Sequence, residues 1–267
     1  MPEPYYKQHW IDIDPDRHTA YDQILAYRPA LEPILRLLEL RAGLRVLDVG
    51  SGPGYTTLEL ARRVAPSGKV TGVDINAEFV ARASARAREQ KSQAEFVHSA
   101  FPPLPFPDGS FDRVFCKNVL EYVDSAPATV AEMARVAAAG GVVFATDSDW
   151  DMLALDLGAG GEVRDLTDRV LAAAKSIAVK EPRAGRRLYG IFRAAGLANV
   201  KVESMAGADT AGRSVTMLTT SQARYARDSG RVSAAEVERW VGEVKAAIAQ
   251  ERYLFVLPQF VVWGNKS

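Results

Sequence analysis

The stretch that decides the fold is Arg45-Val46-Leu47-Asp48-Val49, followed at once by Gly50-Ser51-Gly52-Pro53-Gly54. The first five residues are typical of a short buried strand, and the next five of a glycine-rich turn. Beyond the turn, Leu58, Ala61 and Val64 recur at helical spacing and indicate one apolar face. The segment therefore predicts a strand, a turn and a helix, with a turn backbone that a ligand can approach closely.

Further strand-like runs alternate with helical segments along the rest of the chain. They lie at residues 69–74, 95–98, 113–116, 141–146, 200–203 and 255–263. This alternation predicts an α/β fold, a Rossmann-like, doubly wound, mostly parallel sheet of seven strands with helices on both faces. Pro258 lies inside the last run, which favours the end of an edge strand or a bulge over the middle of a central strand.

Helical patterns outside this alternation predict a cover over the sheet. Residues 1–40 are helical in pattern, and residues 205–252 carry helical signals over a length too great for a hairpin turn. We therefore expect an N-terminal helical lid at 1–40, a core at 41–204 and 253–267, and a helical cap inserted at 205–252.

The composition excludes several classes of protein. The 267 residues are 48% hydrophobic, and 33 basic residues balance 33 acidic ones, so no global field attracts nucleic acid. A single cysteine forbids an intrachain disulfide, and the widely separated histidines show no zinc-site spacing. Without a long apolar run or the pattern of a signal peptide, we expect a cytoplasmic protein with no membrane partner. A homodimer is compatible with the sequence.

Two carboxylates accompany the glycine turn. Asp48 precedes Gly50 by two positions, and Asp74 ends the next strand, where a carboxylate can accept both hydroxyl protons of a ribose. Glycines at 50, 52 and 54 do not match the Gly-x-Gly-x-x-Gly dinucleotide fingerprint, and no Tyr-x-x-x-Lys pair is present. A nucleoside site is therefore favoured, and a nicotinamide dehydrogenase is disfavoured.

At this point the chain resembles the class I S-adenosylmethionine-dependent methyltransferases, in particular the small-molecule branch with the ubiquinone and menaquinone C-methyltransferases. The resemblance is carried by residues 46–54, 70–74, 104–112, 118–123 and 140–144, in the family's order and with its gaps. Residues 261–266 are also similar to the family's last strand. The resemblance implies an enzyme that uses S-adenosyl-L-methionine, releases S-adenosyl-L-homocysteine, and moves a methyl group to a small organic acceptor by in-line displacement.

The resemblance also implies positions for the cofactor. The turn Gly50-Ser51-Gly52 would lie against its methionine part, Asp48 would support its amino group, and Asn118 would face the same end. Asp74 would hold the ribose. Ile75 would pack on the adenine, with Ser99, Ala100 and Phe101 on its other side. Here the chain departs from the family, which commonly has an aspartate after the third strand; Ser99 accepts a hydrogen bond more weakly than a carboxylate.

The acceptor side is predicted from topology alone. The loop Asp147-Ser148-Asp149-Trp150-Asp151 follows the fifth strand at the edge where open α/β sheets place their substrates. Trp150, Asp149 and Trp10 are therefore candidate substrate residues, with a solvated acidic loop or a packed N-terminal helix as the alternatives.

Two questions about the reaction stay open. Asp149, Asp151, His9 and His18 are candidate bases, and none is assigned, because positioning alone can drive methyl transfer. Methylation of a protein or RNA, and a non-catalytic nucleoside-binding role, are the other functions to weigh.

Overall fold

The computed structural model describes residues 5–11, 13, 15–27 and 29–267. Its α-helices in chain order are α1 (Tyr5–Ile11), α2 (Pro15–Leu25), α3 (Glu32–Leu37), α4 (Tyr55–Val64), α5 (Ala77–Glu89), α6 (Ala126–Val136), α7 (Gly161–Ala178), α8 (Ala184–Ala194), α9 (Ala223–Asp228) and α10 (Ala234–Ala249). Its strands are β1 (Arg45–Val49), β2 (Lys69–Asp74), β3 (Glu95–His98), β4 (Phe111–Lys117), β5 (Ala137–Ser148), β6 (Ala154–Asp156), β7 (Ala198–Met205), β8 (Leu254–Val256) and β9 (Gln259–Asn265). Short helical turns lie at Pro29–Leu31, Trp150–Met152 and Met217–Gln222.

Seven of these strands form one sheet in the order β3-β2-β1-β4-β5-β9-β7. The first five are parallel to one another, whereas β9 runs antiparallel to both β5 and β7. The predicted seven-stranded, mostly parallel α/β sheet is confirmed. β6 and β8 pair separately as a small antiparallel ribbon.

The place of the last strand corrects one prediction. β9 is not at an edge but lies between β5 and β7, and the edge strands are β3 and β7. Pro258 falls in the gap between β8 and β9, so it removes no hydrogen bond from the ladder. Its carbonyl oxygen accepts the N–H of Asp149 at 3.0 Å, which ties the end of β5 to the start of β9.

The sheet is covered by apolar side chains on both faces, as is usual for a parallel sheet that lies between two layers of helices. On one face Leu35 and Leu60 pack with Phe115 and Phe144, all at most 1% exposed. On the other face the core is built chiefly on α6 and α8. Burial on both faces fixes the ends of β1, β2 and β4 as a rigid platform for the loops that follow them.

A second apolar core lies above the sheet. α7, α9 and α10 surround Trp240, which is fully buried, and the β6–β8 ribbon closes this core with Phe255. The helices α9 and α10 lie in the region predicted as a cap, and α7 packs on them from within the region predicted as core. The domain limits themselves stay predictions.

The described residues hold neither a candidate membrane span nor a candidate metal site. No helix there has the length and apolar character needed to cross a membrane. That same part of the chain contains no group of three or more His, Cys, Asp or Glu side chains arranged to hold a metal ion.

Candidate active site

The carboxyl ends of β1, β2 and β4 open into one cavity. Its empty volume is about 1070 Å³, including space open to solvent. The lining residues come from the glycine turn, from the strand ends and from α1, α2 and α5: Trp10, Leu25, Asp48, Gly50, Ser51, Gly52, Pro53, Tyr55, Thr56, Asp74, Ile75, Phe79, Phe101, Phe115, Lys117, Asn118, Val119, Tyr122, Val123 and Asp124. Because several loops converge where parallel strands end, this edge is the usual ligand site of open α/β sheets.

The glycine turn approaches the cavity as bare backbone. Gly50 has φ +73°, and a Cβ there would overlap the Val119 side chain. The N–H groups of Gly50 and Ser51 both donate to the carbonyl oxygen of Val73, at 2.8 and 3.1 Å, and that of Gly52 donates to Asp74 Oδ2 at 2.7 Å. The turn therefore offers a ligand close approach, but none of these three N–H groups is free to donate to it.

The third glycine serves packing rather than ligand contact. Gly54 has φ +85° and precedes α4. A Cβ at this position would lie 2.7 Å from the Cβ of Ala83 on α5 and 2.9 Å from the Phe96 ring. The spacing of glycines at 50, 52 and 54 thus reflects helix packing as well as the site.

Asp74 is buried, with 8% of its surface exposed, and both of its carboxylate oxygens already accept a backbone hydrogen bond. Oδ2 accepts from Gly52 and Oδ1 from the N–H of Asn76 at 2.9 Å. Burial raises the pKa of Asp74, and these backbone donors oppose the rise. An ionised carboxylate has about four acceptor positions, so two remain for the hydroxyls of a ribose.

Asp48 lies deeper in the cavity and is 2% exposed. The hydroxyl of Thr57 donates to its Oδ2 at 2.6 Å, which fixes the carboxylate from the first turn of α4. Burial raises the pKa of Asp48 to about 6, against the lowering effects of the Thr57 hydrogen bond and the Lys117 charge. A buried carboxylate of this kind is suited to bind a cationic group.

Lys117 is a cavity residue that the sequence analysis did not single out. It ends β4, is half-buried, and interacts electrostatically with Asp48, Asp147 and Glu121. Burial lowers its pKa, and these carboxylates oppose the effect. A charged residue directly after the apolar run Val114-Phe115-Cys116, at the carboxyl end of a strand, was the available signal.

Asn118 follows Lys117 in the left-handed conformation, with φ +53°. Its Oδ1 is buried and has no hydrogen-bond partner within the described chain, and the same holds for Ser51 Oγ and Trp10 Nε1. All three residues line the cavity. Buried polar atoms without a partner are rare in folded proteins, so their convergence on one cavity indicates a polar ligand.

Aromatic side chains close the cavity from the helical side. Trp10, Phe79 and Tyr122 line it, and the ring centroids of Trp10 and Tyr122 are 5.0 Å apart. Asn76 anchors this wall, because its side-chain amide donates to the carbonyl oxygen of Trp10 at 3.0 Å. Phe79, Tyr122 and Asn76 were missed from the sequence, since their roles depend on how α1 lies over β2.

The predicted adenine residues divide into two groups. Ile75 and Phe101 line the cavity, from the loops that follow β2 and β3 respectively. Ser99 and Ala100 are outside the described lining, and the Ser99 hydroxyl donates to the Ala100 carbonyl oxygen at 2.9 Å. Ser99 is therefore engaged by its neighbour rather than turned into the cavity.

The acidic loop after β5 lies apart from the cavity. Asp149 is fully buried, and its carboxylate accepts hydrogen bonds from Nε and Nη2 of Arg186, the latter at 2.7 Å. The Trp150 indole donates to Glu121, and Asp151 pairs with Lys175 at 2.5 Å. Neither Asp149 nor Trp150 belongs to the described cavity lining, so this placement does not support the predicted acceptor wall.

The two histidine candidates also gain no support as bases. His9 is 5% exposed, and burial together with the charges of Arg17 and Arg224 lowers its pKa to about 2. Such an imidazole is too weak a base to accept a proton near neutral pH. The side chain of His18 lies outside the described part of the chain.

Part of the chain that lines this site is similar to known proteins. A family model for a methyltransferase domain matches residues 46–141. The ubiquinone/menaquinone biosynthesis C-methyltransferase UbiE of Hahella chejuensis is 40% identical over 104 residues, which are 38% of this chain and 42% of that protein. The chain spans about half the length of the curated relatives it matches.

Two solved structures share the fold. The YcgJ protein of Bacillus subtilis superposes with a TM-score of 0.60 at 21% identity, covering 89% of this chain and 97% of that one. Phosphoethanolamine N-methyltransferase 2 of Haemonchus contortus, in complex with S-adenosyl-L-methionine, gives 0.62 at 18% identity, covering 98% and 60%. Residues 46–141, which hold the glycine turn and Asp74, thus match a methyltransferase domain, and the chain shares its fold with these two structures.

Proposed function

We propose that the chain binds S-adenosyl-L-methionine in this cavity and transfers its methyl group to a small organic acceptor. The observation that carries the proposal is the convergence of Trp10 Nε1, Ser51 Oγ and Asn118 Oδ1 on a cavity that also holds Asp48 and Asp74. All three atoms are buried and have no hydrogen-bond partner among the described residues. These donors and acceptors need a polar ligand with both hydroxyl and charged groups.

The cavity residues fit the parts of this cofactor. Asp74 retains acceptor positions for the two ribose hydroxyls, and Ile75 and Phe101 supply apolar surface for an adenine. At the other end, Asp48 and Asn118 Oδ1 are acceptors for an ammonium group, and the Lys117 ammonium complements a carboxylate. The charges thus match an amino acid head group, with acceptors for its cation and a cation for its anion.

The bound cofactor would supply a methyl group already activated by the positive charge on its sulfur. The protein must then align the two reactants and exclude water, which can contribute roughly 7 to 11 kcal/mol. Trp10, Phe79 and Tyr122 form the apolar wall that excludes water. His9 is too weak a base, and Asp149 is held by Arg186, so neither is suited to remove a proton from the acceptor.

The helices that cover the cavity support the proposal of a small acceptor. α1 and α2 contribute Trp10 and Leu25 to the cavity wall, which narrows access for a folded protein or an RNA helix. The balance of basic and acidic residues gives nucleic acid no general attraction. Among the matched relatives, UbiE is by its name an enzyme of quinone biosynthesis.

Calorimetry with S-adenosylhomocysteine tests the proposal. We expect binding to the native chain and loss of about 2 to 4 kcal/mol in Asp74→Ala, because two hydrogen bonds to a charged group disappear. Adenine lacks the ribose, so its binding should change little and serves as the control. Equal affinity of native and variant chains for S-adenosylhomocysteine, or equal binding of NADH, would refute the assignment. Failure to convert S-adenosylmethionine with any acceptor, despite binding, would favour the non-catalytic role.

A further inference from the structure

A buried arginine lies behind the aromatic wall of the cavity. Arg17 on α2 is 8% exposed, and its guanidinium donates to the Tyr21 hydroxyl at 2.7 Å and contacts Nε2 of His9 at 2.6 Å. None of the carboxylates in the described part of the chain forms an ion pair with it. A cation removed from water without an anion is unfavourable, so this arrangement calls for an explanation.

The groups around Arg17 are neutral. Burial and two arginine charges lower the pKa of His9 to about 2, which leaves an uncharged imidazole. Burial raises the pKa of the Tyr21 and Tyr225 hydroxyls, so both remain protonated donors near neutral pH. The cluster formed by His9, Arg17, Tyr21 and Tyr225, which we call the Arg17 cluster, therefore has a net positive charge.

The Arg17 cluster is separated from the cavity by one layer of rings. The ring centroid of Trp10 lies 4.9 Å from that of His9, 5.2 Å from that of Tyr21 and 5.0 Å from that of Tyr122. Trp10 and Tyr122 line the cavity, and the buried Nε1 of Trp10 has no partner within the described chain. A molecule that displaces Trp10 slightly would reach the guanidinium and this free donor together.

We propose that the methyl acceptor is an organic anion, and that Arg17 binds its carboxylate or phosphate oxygens. The inference rests on the proposed function, because it concerns the acceptor of that same site. The planar guanidinium can donate two parallel hydrogen bonds to either oxyanion, and Tyr21, Tyr225 and Trp10 Nε1 supply further donors. The rings of Trp10 and Tyr122 provide flat apolar surface for the carbon skeleton of the acceptor. In this arrangement the acceptor supplies a counterion that the described carboxylates do not.

The test uses simple probes on the native chain, with and without S-adenosylhomocysteine, at constant ionic strength. Benzoate and phenyl phosphate should bind and raise the melting temperature, whereas neutral benzyl alcohol should not. The anion that binds more tightly identifies the acid group of the acceptor. Arg17→Met should weaken anion binding by about ten- to hundredfold, and Arg17→Lys by less. Arg88→Met removes an exposed arginine of α5 and should leave anion binding unchanged.

A second measurement needs no acceptor at all. Because no carboxylate among the described residues pairs with the buried Arg17 cation, Arg17→Met should raise the melting temperature of the chain in the absence of anions. A lowered melting temperature would show that Arg17 only supports the fold, and equal anion binding by native chain and Arg17→Met would overturn the inference. If S-adenosylhomocysteine binds in either of those cases, the proposed function survives without the anionic acceptor. If it does not bind the native chain, the proposed function itself fails.

Discussion

The side-chain amide of Asn76 donates a hydrogen bond to the carbonyl oxygen of Trp10 at 3.0 Å, and this bond joins α1 to the end of β2. The same side chain accepts the N–H of Phe79 at 2.8 Å and so caps α5, while the Asn76 N–H donates to Asp74. One residue therefore links the Asp74 carboxylate, a core helix and the covering helix.

These two roles of Asn76 can be separated by substitution. Asn76→Ser keeps a good helix cap but cannot reach Trp10, so we expect faster hydrogen exchange in residues 5–11 with little change in global stability. Asn76→Ala loses the cap as well and should cost about 1 kcal/mol more in the free energy of unfolding. Unchanged exchange in Asn76→Ser would show that packing of Trp10, rather than this bond, holds α1 in place.

Lys117 provides a test of the head group assignment. Replacing it by Met should weaken the binding of S-adenosylhomocysteine by about tenfold or more, because a charge-assisted hydrogen bond to the carboxylate of the ligand is lost. 5′-Methylthioadenosine lacks the amino acid part, and its affinity should stay the same. The exposed Lys69 supplies the matched control, Lys69→Met. A loss shared equally by both ligands would place Lys117 elsewhere in the site.

The raised pKa of Asp48 predicts a pH dependence of binding. With a pKa of about 6, the carboxylate is ionised above that pH and protonated below it, so affinity for S-adenosylhomocysteine should fall as the pH drops through 6. Asp48→Asn should flatten this profile. Thr57→Val removes the hydrogen bond that lowers this pKa, and the midpoint should move to higher pH.

The raised pKa of Asp48 makes folding stability change with pH in the opposite direction from ligand affinity. The folded chain holds a proton on Asp48 between the ordinary pKa of 3.8 and about 6, whereas the unfolded chain releases it. The contribution of Asp48 to the free energy of unfolding should therefore decline as the pH rises across this window. Urea titrations of the native chain and Asp48→Asn measure it. A native chain that gains stability relative to Asp48→Asn over that range would contradict the shift.

The pair of Asp149 and Arg186 should be structural. Asp149 is fully buried, while the Arg186 side chain is 42% exposed, so Arg186→Met leaves a buried carboxylate unpaired. We expect a loss of stability in denaturant titrations that is smaller than for a fully buried pair, because water reaches the arginine. Affinity for S-adenosylhomocysteine should stay unchanged. Loss of acceptor turnover at unchanged stability would instead restore the loop after β5 as the acceptor wall.

The cofactor half of the site was predictable because its parts are local. Gly50, Gly52 and Asp74 follow two strands adjacent in sequence and in the sheet, so the strand pattern alone brings them together. The positions of Ile75 and Phe101 followed from the family resemblance, and both line the cavity. That all of these residues bind the cofactor stays a prediction.

The contacts of the proposed acceptor region could not be predicted in the same way. The contact between His9 and Tyr225 joins residues 216 positions apart, at 2.7 Å, and depends on how α1 meets α9. The loop after β5 was placed at the correct edge, but its partner Arg186 comes from α8, which no periodicity relates to Asp149. Sequence patterns indicate which face of a helix is apolar, but they do not indicate which other element packs against that face.

The central position of β9 has a consequence for synthesis on the ribosome. β5 and β7 are both made before β9, yet each pairs with it rather than with the other. Until residues 259–265 emerge, β5 and β7 each have one edge without a hydrogen-bonding partner, because β9 does not yet lie between them. Such edges invite wrong pairing between chains, so the growing polypeptide is most exposed to aggregation just before its final strand closes the sheet.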